Sequence, residues 1–189
     1  MSATTTPRIA PGSRAEAGWF AWSFSHVAGR ATGTTPPNLF LTLGRHRRLF
    51  RGWLRFAGRL MPGGRLPRRE TELVILRVAH LRGCAYEWEH HRHLGRRAGV
   101  TDADIERLAV DGPVPEVAGW SRREAVVLAA VDELHQTGDL TDPTWAALRK
   151  HLDEREVIEL LLLAGHYEML ATTINTLRIV PDQPRPRRG

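Results

Sequence analysis

The feature that most limits what this chain can fold into is the rhythm of its apolar residues. They recur at three- and four-residue intervals behind helix-start signals, and no segment keeps the two-residue alternation of a half-buried strand. Ser121-Arg122-Arg123-Glu124 has the spacing of a capping box, in which the serine oxygen accepts an amide N–H three residues on and the glutamate reaches back. Thr101 with Asp104, and Asp153 with Glu156, repeat that spacing. The expected fold class is therefore all-α, a helical bundle with no significant sheet.

Punctuation along the chain sets the expected helices. A short one spans 19–27, followed by a Gly/Thr/Pro linker over 29–37. Asn38 caps a long one from Leu39 to about Leu60, closed by Pro62-Gly63-Gly64. Further helices cover 67–81 up to Gly83, 85–98 before Gly99, and a short turn after Thr101. Residues 112–119 read as a loop, 121–137 and 142–151 as helices, and the last and longest runs from Asp153 to near Val180 before Pro181. As an organisation this gives an N-terminal arm with a short helix (1–35), one helical domain (36–182) and a basic tail (183–189).

Bulk properties narrow the function classes. A chain of 189 residues with 42% hydrophobic and 25% charged residues suits one globular domain. The single cysteine excludes an internal disulfide and fits a reducing compartment. The densest apolar run, Leu160 to Ala164 between Glu159 and His166, falls far short of a bilayer span. Residues 1–12 are polar and lack the apolar core of a signal peptide, so a cytoplasmic location is expected and no membrane contact. The net charge of +6 comes almost entirely from arginine, Lys150 being the only lysine. Those arginines are spread along the chain apart from 45–59 and the tail, so no nucleic-acid partner is expected.

The chemistry concentrates in residues 69–91. If a helix begins near Cys84, then Cys84, Glu87 and His91 at i, i+3 and i+7 share one face. An imidazole titrates near neutrality and both gives and takes protons. Glu87, one turn before His91, is placed to fix its tautomer, and a fold-back across Gly83 would bring Glu72 near. The competing reading is an exposed Glu–His pair on a polar helix face. Cys84 is either a thiolate favoured by a helix N-terminus or a small buried apolar residue. Tyr86 and Trp88 are packing residues, or a pocket wall from which Tyr86 donates a hydrogen bond. Arg77, a cation in an apolar helix, pairs with Glu72 or Glu87 or meets a substrate carboxylate. His80, His90, His91 and His93 raise the idea of zinc, but no zinc-ligand spacing is present, so no metal is expected.

Arg69-Glu70-Thr71-Glu72-Leu73-Val74-Ile75-Leu76-Arg77, Tyr86-Glu87-Trp88 with His91, and His166-Tyr167-Glu168-Met169-Leu170 together resemble the carboxymuconolactone decarboxylase / alkylhydroperoxidase D-like family, over roughly 36–182. The peroxidase branch carries a Glu, a Cys-x-x-Cys pair and a His four residues on. Here Glu72, Cys84 and His91 match three of those positions, and Glu87 stands where the second cysteine would be. The resemblance implies the family's helical bundle, a homo-oligomer (trimer or hexamer) and catalysis without a cofactor. It also implies that His166 lies near the subunit core and can approach the pocket, against the alternative of a satisfied buried histidine. An apolar last helix, larger than one small core needs, fits an oligomer.

With the second cysteine replaced, the expectation leans to the decarboxylase side: a lyase of the carboxy-lyase type working by proton transfer on a small carboxylated lactone or keto acid. The expected roles are His91 as acid/base, Glu72 and Glu87 as orienting or relay groups, and Arg77 as carboxylate anchor. Two alternatives stand beside it. One is a thiol-dependent peroxidase using Cys84 with an outside resolving thiol. The other is a non-enzymatic oligomeric binding protein.

Overall fold

The computed structural model describes residues 6–114 and 119–185. Among these the fold is all-α, with nine helices and no strand. The helices are α1 (Arg14–Thr32), α2 (Asn38–Gly44), α3 (Arg47–Leu60), α4 (Arg68–Leu81), α5 (Ala85–Arg97), α6 (Asp102–Leu108), α7 (Arg122–Thr137), α8 (Asp142–Arg149) and α9 (Glu154–Leu177). Four of the expected loop residues, 115–118, and residues 186–189 of the expected tail lie outside the described residues.

Capping chemistry sets most boundaries. In α6 and α7 the boxes form as the spacing predicts, Asp104 N–H donating to Thr101 Oγ1 and Glu124 N–H to Ser121 Oγ, with both acids reaching back. Glu156 N–H donates to Asp153 Oδ1 (2.8 Å) at the start of α9. A further box, Ser13 with Glu16, opens α1 earlier than the sequence suggests, and the helix continues to Thr32 where a linker is expected. Gly18, at φ 81°, kinks it. The single helix expected after Asn38 is two, because the chain breaks after Gly44. A Cβ at Gly44 would come within 2.7 Å of the Ala21 Cβ, so α2 lies against α1 at a distance that a longer side chain would forbid. Asn38 does not cap α2 with its side chain; it donates instead to the Val180 carbonyl, while its own N–H is accepted by Asp182.

The chain divides into two compact units. The first comprises 1–57 with 173–189, the second 58–172, so the boundaries fall inside α3 and α9. In the first unit, Ala17, Ala21 and Phe50 form a core against Phe40, Leu43, Trp53 and Leu54. Its C-terminal strap is tied down by Thr35 N–H to the Gln183 carbonyl (2.8 Å) and Arg185 N–H to the Gly33 carbonyl (2.9 Å).

The second unit is built around α4, which packs on α5, α6 and α7 and is buried from Glu70 through Ala79. Leu73 and Leu76 of α4 join Val100, Ile105, Leu108, Val114 and Leu128 in one apolar cluster. Helix α9 is long and apolar enough to cross a membrane, with a mean hydropathy of 1.4 over its most apolar stretch, but 56% of that stretch is buried within the protein. Its buried apolar residues, Leu160, Leu163 and Leu170 among them, serve the core.

Candidate active site

The α4–α5 hairpin creates the site. Helix α4 ends at Leu81, and Gly83, at φ 55°, turns the chain through a conformation that suits glycine. Cys84 then occupies the N-cap of α5. The reversal brings Glu72, mid-way along α4, against His91, two turns into α5. Glu72 and His91 are 0% and 2% exposed, and Glu87 is 3% exposed.

The three side chains form one line. His91 Nδ1 donates to Glu72 Oε2 at 2.7 Å, and its Nε2 lies 3.2 Å from Glu87 Oε2. Arg68, one turn before Glu72, donates from Nη2 to Glu72 Oε1 at 2.6 Å while remaining partly exposed. Burial by itself would pull the His91 pKa down. The hydrogen bonds and charges of Glu72 and Glu87 outweigh it and push the value up to about 9. At neutral pH the site is thus an imidazolium held between two carboxylates. Glu87 Oε1 is buried and has no hydrogen-bond partner among the described residues.

Helix α9 supplies the neighbouring wall. The Tyr167 ring stands edge-on to His91, with centroids 5.3 Å apart and planes at 89°. Its hydroxyl points to Met61 Sδ (3.9 Å). Burial and the nearby Glu87 and Glu72 charges hold its pKa well above the ordinary tyrosine value. Burial lowers the pKa of His166, and the Glu87 charge opposes that. Beside His91, His90 is driven down to about 4 by burial and then by the His91 charge.

Cys84 is fully buried. Burial raises its thiol pKa to about 11, the first-turn amides of Glu87 and Tyr86 opposing this without prevailing. It is a neutral thiol at neutral pH. Tyr86 is buried, its ring parallel to that of His90 at 6.5 Å.

Arg77 does not join this group. It is 1% exposed, and its guanidinium is committed elsewhere: Nε to Asp132 Oδ1 (2.5 Å), Nη1 to the Leu108 and Val110 carbonyls (2.9 Å each), and Nη2 to the Gly112 carbonyl (2.6 Å). The carboxylate-anchor expectation fails because Asp132 of α7, the end of α6 and the loop after it together use every arm of the fork. Those partners lie 31 to 55 residues away, beyond the reach of helix-spacing arguments. The sequence reading missed Arg68, and named Tyr167 only as part of the late His166-Tyr167 region that can approach the pocket, without a role. Arg68 is visible in hindsight as an i, i+4 partner of Glu72. For Tyr167 no local signal exists, since its contact with His91 spans α5 to α9.

Among the described residues no group of three or more His, Cys, Asp or Glu side chains is arranged to hold a metal ion. A groove of about 720 Å³ lies elsewhere in the same unit, lined by Val131, Leu134, Trp145, Leu161 and Glu168 among others, and none of the candidate site residues borders it.

The all-α unit thus brings Glu72 of α4 and His91 of α5 together behind the N-capping Cys84. Residues 47–133 match the family model of the Carboxymuconolactone decarboxylase family. Three solved structures share the fold. An uncharacterized peroxidase-related protein from Ralstonia eutropha JMP134 is 19% identical with a TM-score of 0.81, over 95% of this chain and 94% of that one. A peroxidase-related protein from Silicibacter sp. TM1040 is 16% identical with a TM-score of 0.79, over 95% of each chain. The debrominase Bmp8, as a cysteine-to-alanine variant in complex with 2,3,4-tribromopyrrole, is 15% identical with a TM-score of 0.76, over 97% of this chain and 94% of that one. No curated protein matches the sequence.

Proposed function

We propose that the protein is a cofactor-free acid–base enzyme that moves a proton on a small lactone or keto acid, with decarboxylation as the reaction type. The observation that carries this reading is the buried Glu72–His91–Glu87 line, in which an imidazolium is held by a carboxyl group on each ring nitrogen. Such an arrangement stores a proton in a water-poor setting and returns it without reorganisation. A conjugated carbonyl in the substrate takes up the electron pair, so the chemistry asks the protein for proton handling and exclusion of water.

The Cys84 thiol argues against the peroxidase alternative. Peroxide attack requires a thiolate, and burial holds this thiol neutral at pH 7. The local charge balance also modifies the expected substrate. Glu72 and Glu87 are offset by His91 and Arg68, leaving no spare cation for a carboxylate now that Arg77 is spent on Asp132. Any carboxylate on the substrate therefore lies outside this line.

The test is turnover on a panel of small lactones and keto acids, read by carbon dioxide release and by uptake of solvent deuterium into product. His91→Ala lowers turnover by roughly 100- to 10,000-fold, the range for a positioned proton donor, while Cys84→Ser leaves it near wild type. Undiminished turnover in His91→Ala ends the proposal. Thiol-driven peroxide reduction that disappears in Cys84→Ser would put the peroxidase in its place.

We propose further that the enzyme works as a homo-oligomer. On the outer face of α9, Ile158, Leu162 and Met169 are exposed at i, i+4 and i+11, a helical stripe of large apolar side chains suited to a second copy.

A further inference from the structure

We infer that Glu87, through Oε1, is the group that meets the substrate, that His91 stands behind it as a positioning residue, and that the substrate offers Oε1 a neutral O–H or N–H. This deepens the acid–base reading above and rests on it.

The argument begins with the two nitrogens of His91. Nδ1 is taken by Glu72 (2.7 Å) and Nε2 faces Glu87 Oε2 (3.2 Å), so the ring has no third site from which to reach a substrate. The line therefore has two ends. At one end, Glu72 Oε1 is closed by Arg68 at 2.6 Å. At the other, Glu87 Oε1 is buried and has no partner among the described residues. A carboxylate oxygen stripped of water and left unpaired is costly. Proteins keep such groups where function uses them. Asymmetry along the line thus marks the working end, and it is the glutamate on α5.

The surroundings narrow the ligand. Glu87 is close enough for its charge to act on Cys84, His90, His166 and Tyr167. The thiol and the tyrosine are neutral at neutral pH, and His90 is driven to a low value. None of these four is a cation at neutral pH, and the arginines whose charge reaches them, Arg82 and Arg68, are paired with Glu168 and Glu72, so an ionised substrate carboxylate would be repelled from Oε1. A neutral acid is accepted: an enol, a phenol, or a ring N–H. In the step that follows, the X–H proton passes to Oε1 and its bonding pair moves into the conjugated carbonyl system. Glu87 then returns the proton to the carbon end of that system. The sum is a tautomerisation, the enol-to-ketone proton shift that completes a decarboxylation once carbon dioxide has left; it is balanced in atoms and electrons and needs no co-reactant.

The probe pair is para-fluorophenol and para-fluoroanisole, which differ in one donor hydrogen, titrated into the full-length protein and followed by fluorine NMR. The wild type should favour the phenol by roughly tenfold, the worth of a hydrogen bond to a charged acceptor. In Glu87→Gln, which keeps the shape, the preference should fall to within about twofold, and in Glu87→Ala it should vanish. Circular dichroism verifies that both variants are folded. In His91→Gln, whose amide can still donate to Oε2, the preference persists, and in His91→Phe, which cannot, it weakens. A purely structural histidine would leave the preference the same in both. Equal affinity for the two probes, binding of neither (as when an internal water holds Oε1), or a preference that survives Glu87→Ala overturns the inference. Because the readout is binding, it is separate from the turnover test: loss of activity in His91→Ala with equal binding of the probes rejects this inference and leaves the acid–base reading standing.

Discussion

Arg77 shows how much of this fold one guanidinium holds. It closes the end of α6 by serving three carbonyls and neutralises Asp132, which in turn accepts the Val114 N–H at 2.9 Å. Replacing it with leucine keeps an apolar stem but strands a buried carboxylate and three carbonyl groups. Urea unfolding of Arg77→Leu should show a loss of about 3–5 kcal/mol; a loss under about 1 kcal/mol would mean that the loop is held by something else. His91 makes the complementary prediction through pH. Its folded-state pKa, about 9, lies above the 6.5 of an ordinary histidine. Its contribution is therefore whole below about 6.5 and is lost as pH rises through 9. The amount is on the order of 3 kcal/mol. Cys84, whose thiol is also raised above its ordinary value, adds a like loss from about pH 9 upward, so the comparison is made in a Cys84→Ser background. Urea midpoints at pH 6.5 and 9.5 should diverge with His91 in place and converge in His91→Phe.

At the scale of elements, local chemistry and distant contact divide the work. The Ser121 box of α7 is legible because it needs four consecutive residues, and it forms with Ser121 N–H donating to Glu124 Oε2 at 2.9 Å. Ser121→Ala should cost about 1 kcal/mol in urea unfolding, and an unchanged midpoint would show that Arg69, which donates to Glu124 at 2.8 Å, holds the helix end alone. The Gly83 turn and the α4–α5 fold-back were likewise readable, and with them the meeting of Glu72, Glu87 and His91. The break between α2 and α3 was not, because neither Arg45 nor His46 is a helix breaker. It comes from the packing of Gly44 on Ala21, and from Arg45 reaching back to the Ala10 carbonyl (2.9 Å) and Glu16 (2.9 Å). The contact of Tyr167 with His91 escaped for the same reason: a side chain on α9 meets α5 only after the bundle has closed.

For the whole molecule, the helical class followed from periodicity alone, whereas the split into two compact units did not. Residues 36–57 fall with the N-terminal segment because Phe40, Leu43, Trp53 and Leu54 pack on Ala17, Ala21 and Phe50, a choice that composition does not reveal. The exposed stripe of α9 makes the prediction at this scale. Light scattering should give a multiple of the 21.3 kDa chain mass, and Leu162→Glu should lower it by placing a charge among the apolar side chains. A monomeric wild type would reject the oligomer. One consequence remains in the placement of Cys84. As the sole sulfhydryl, sealed beneath the first turn of α5, it doubles as an intrinsic clock. Each encounter with a maleimide has to wait for that turn to peel away, so the labelling rate counts the excursions that uncover the α4–α5 hairpin.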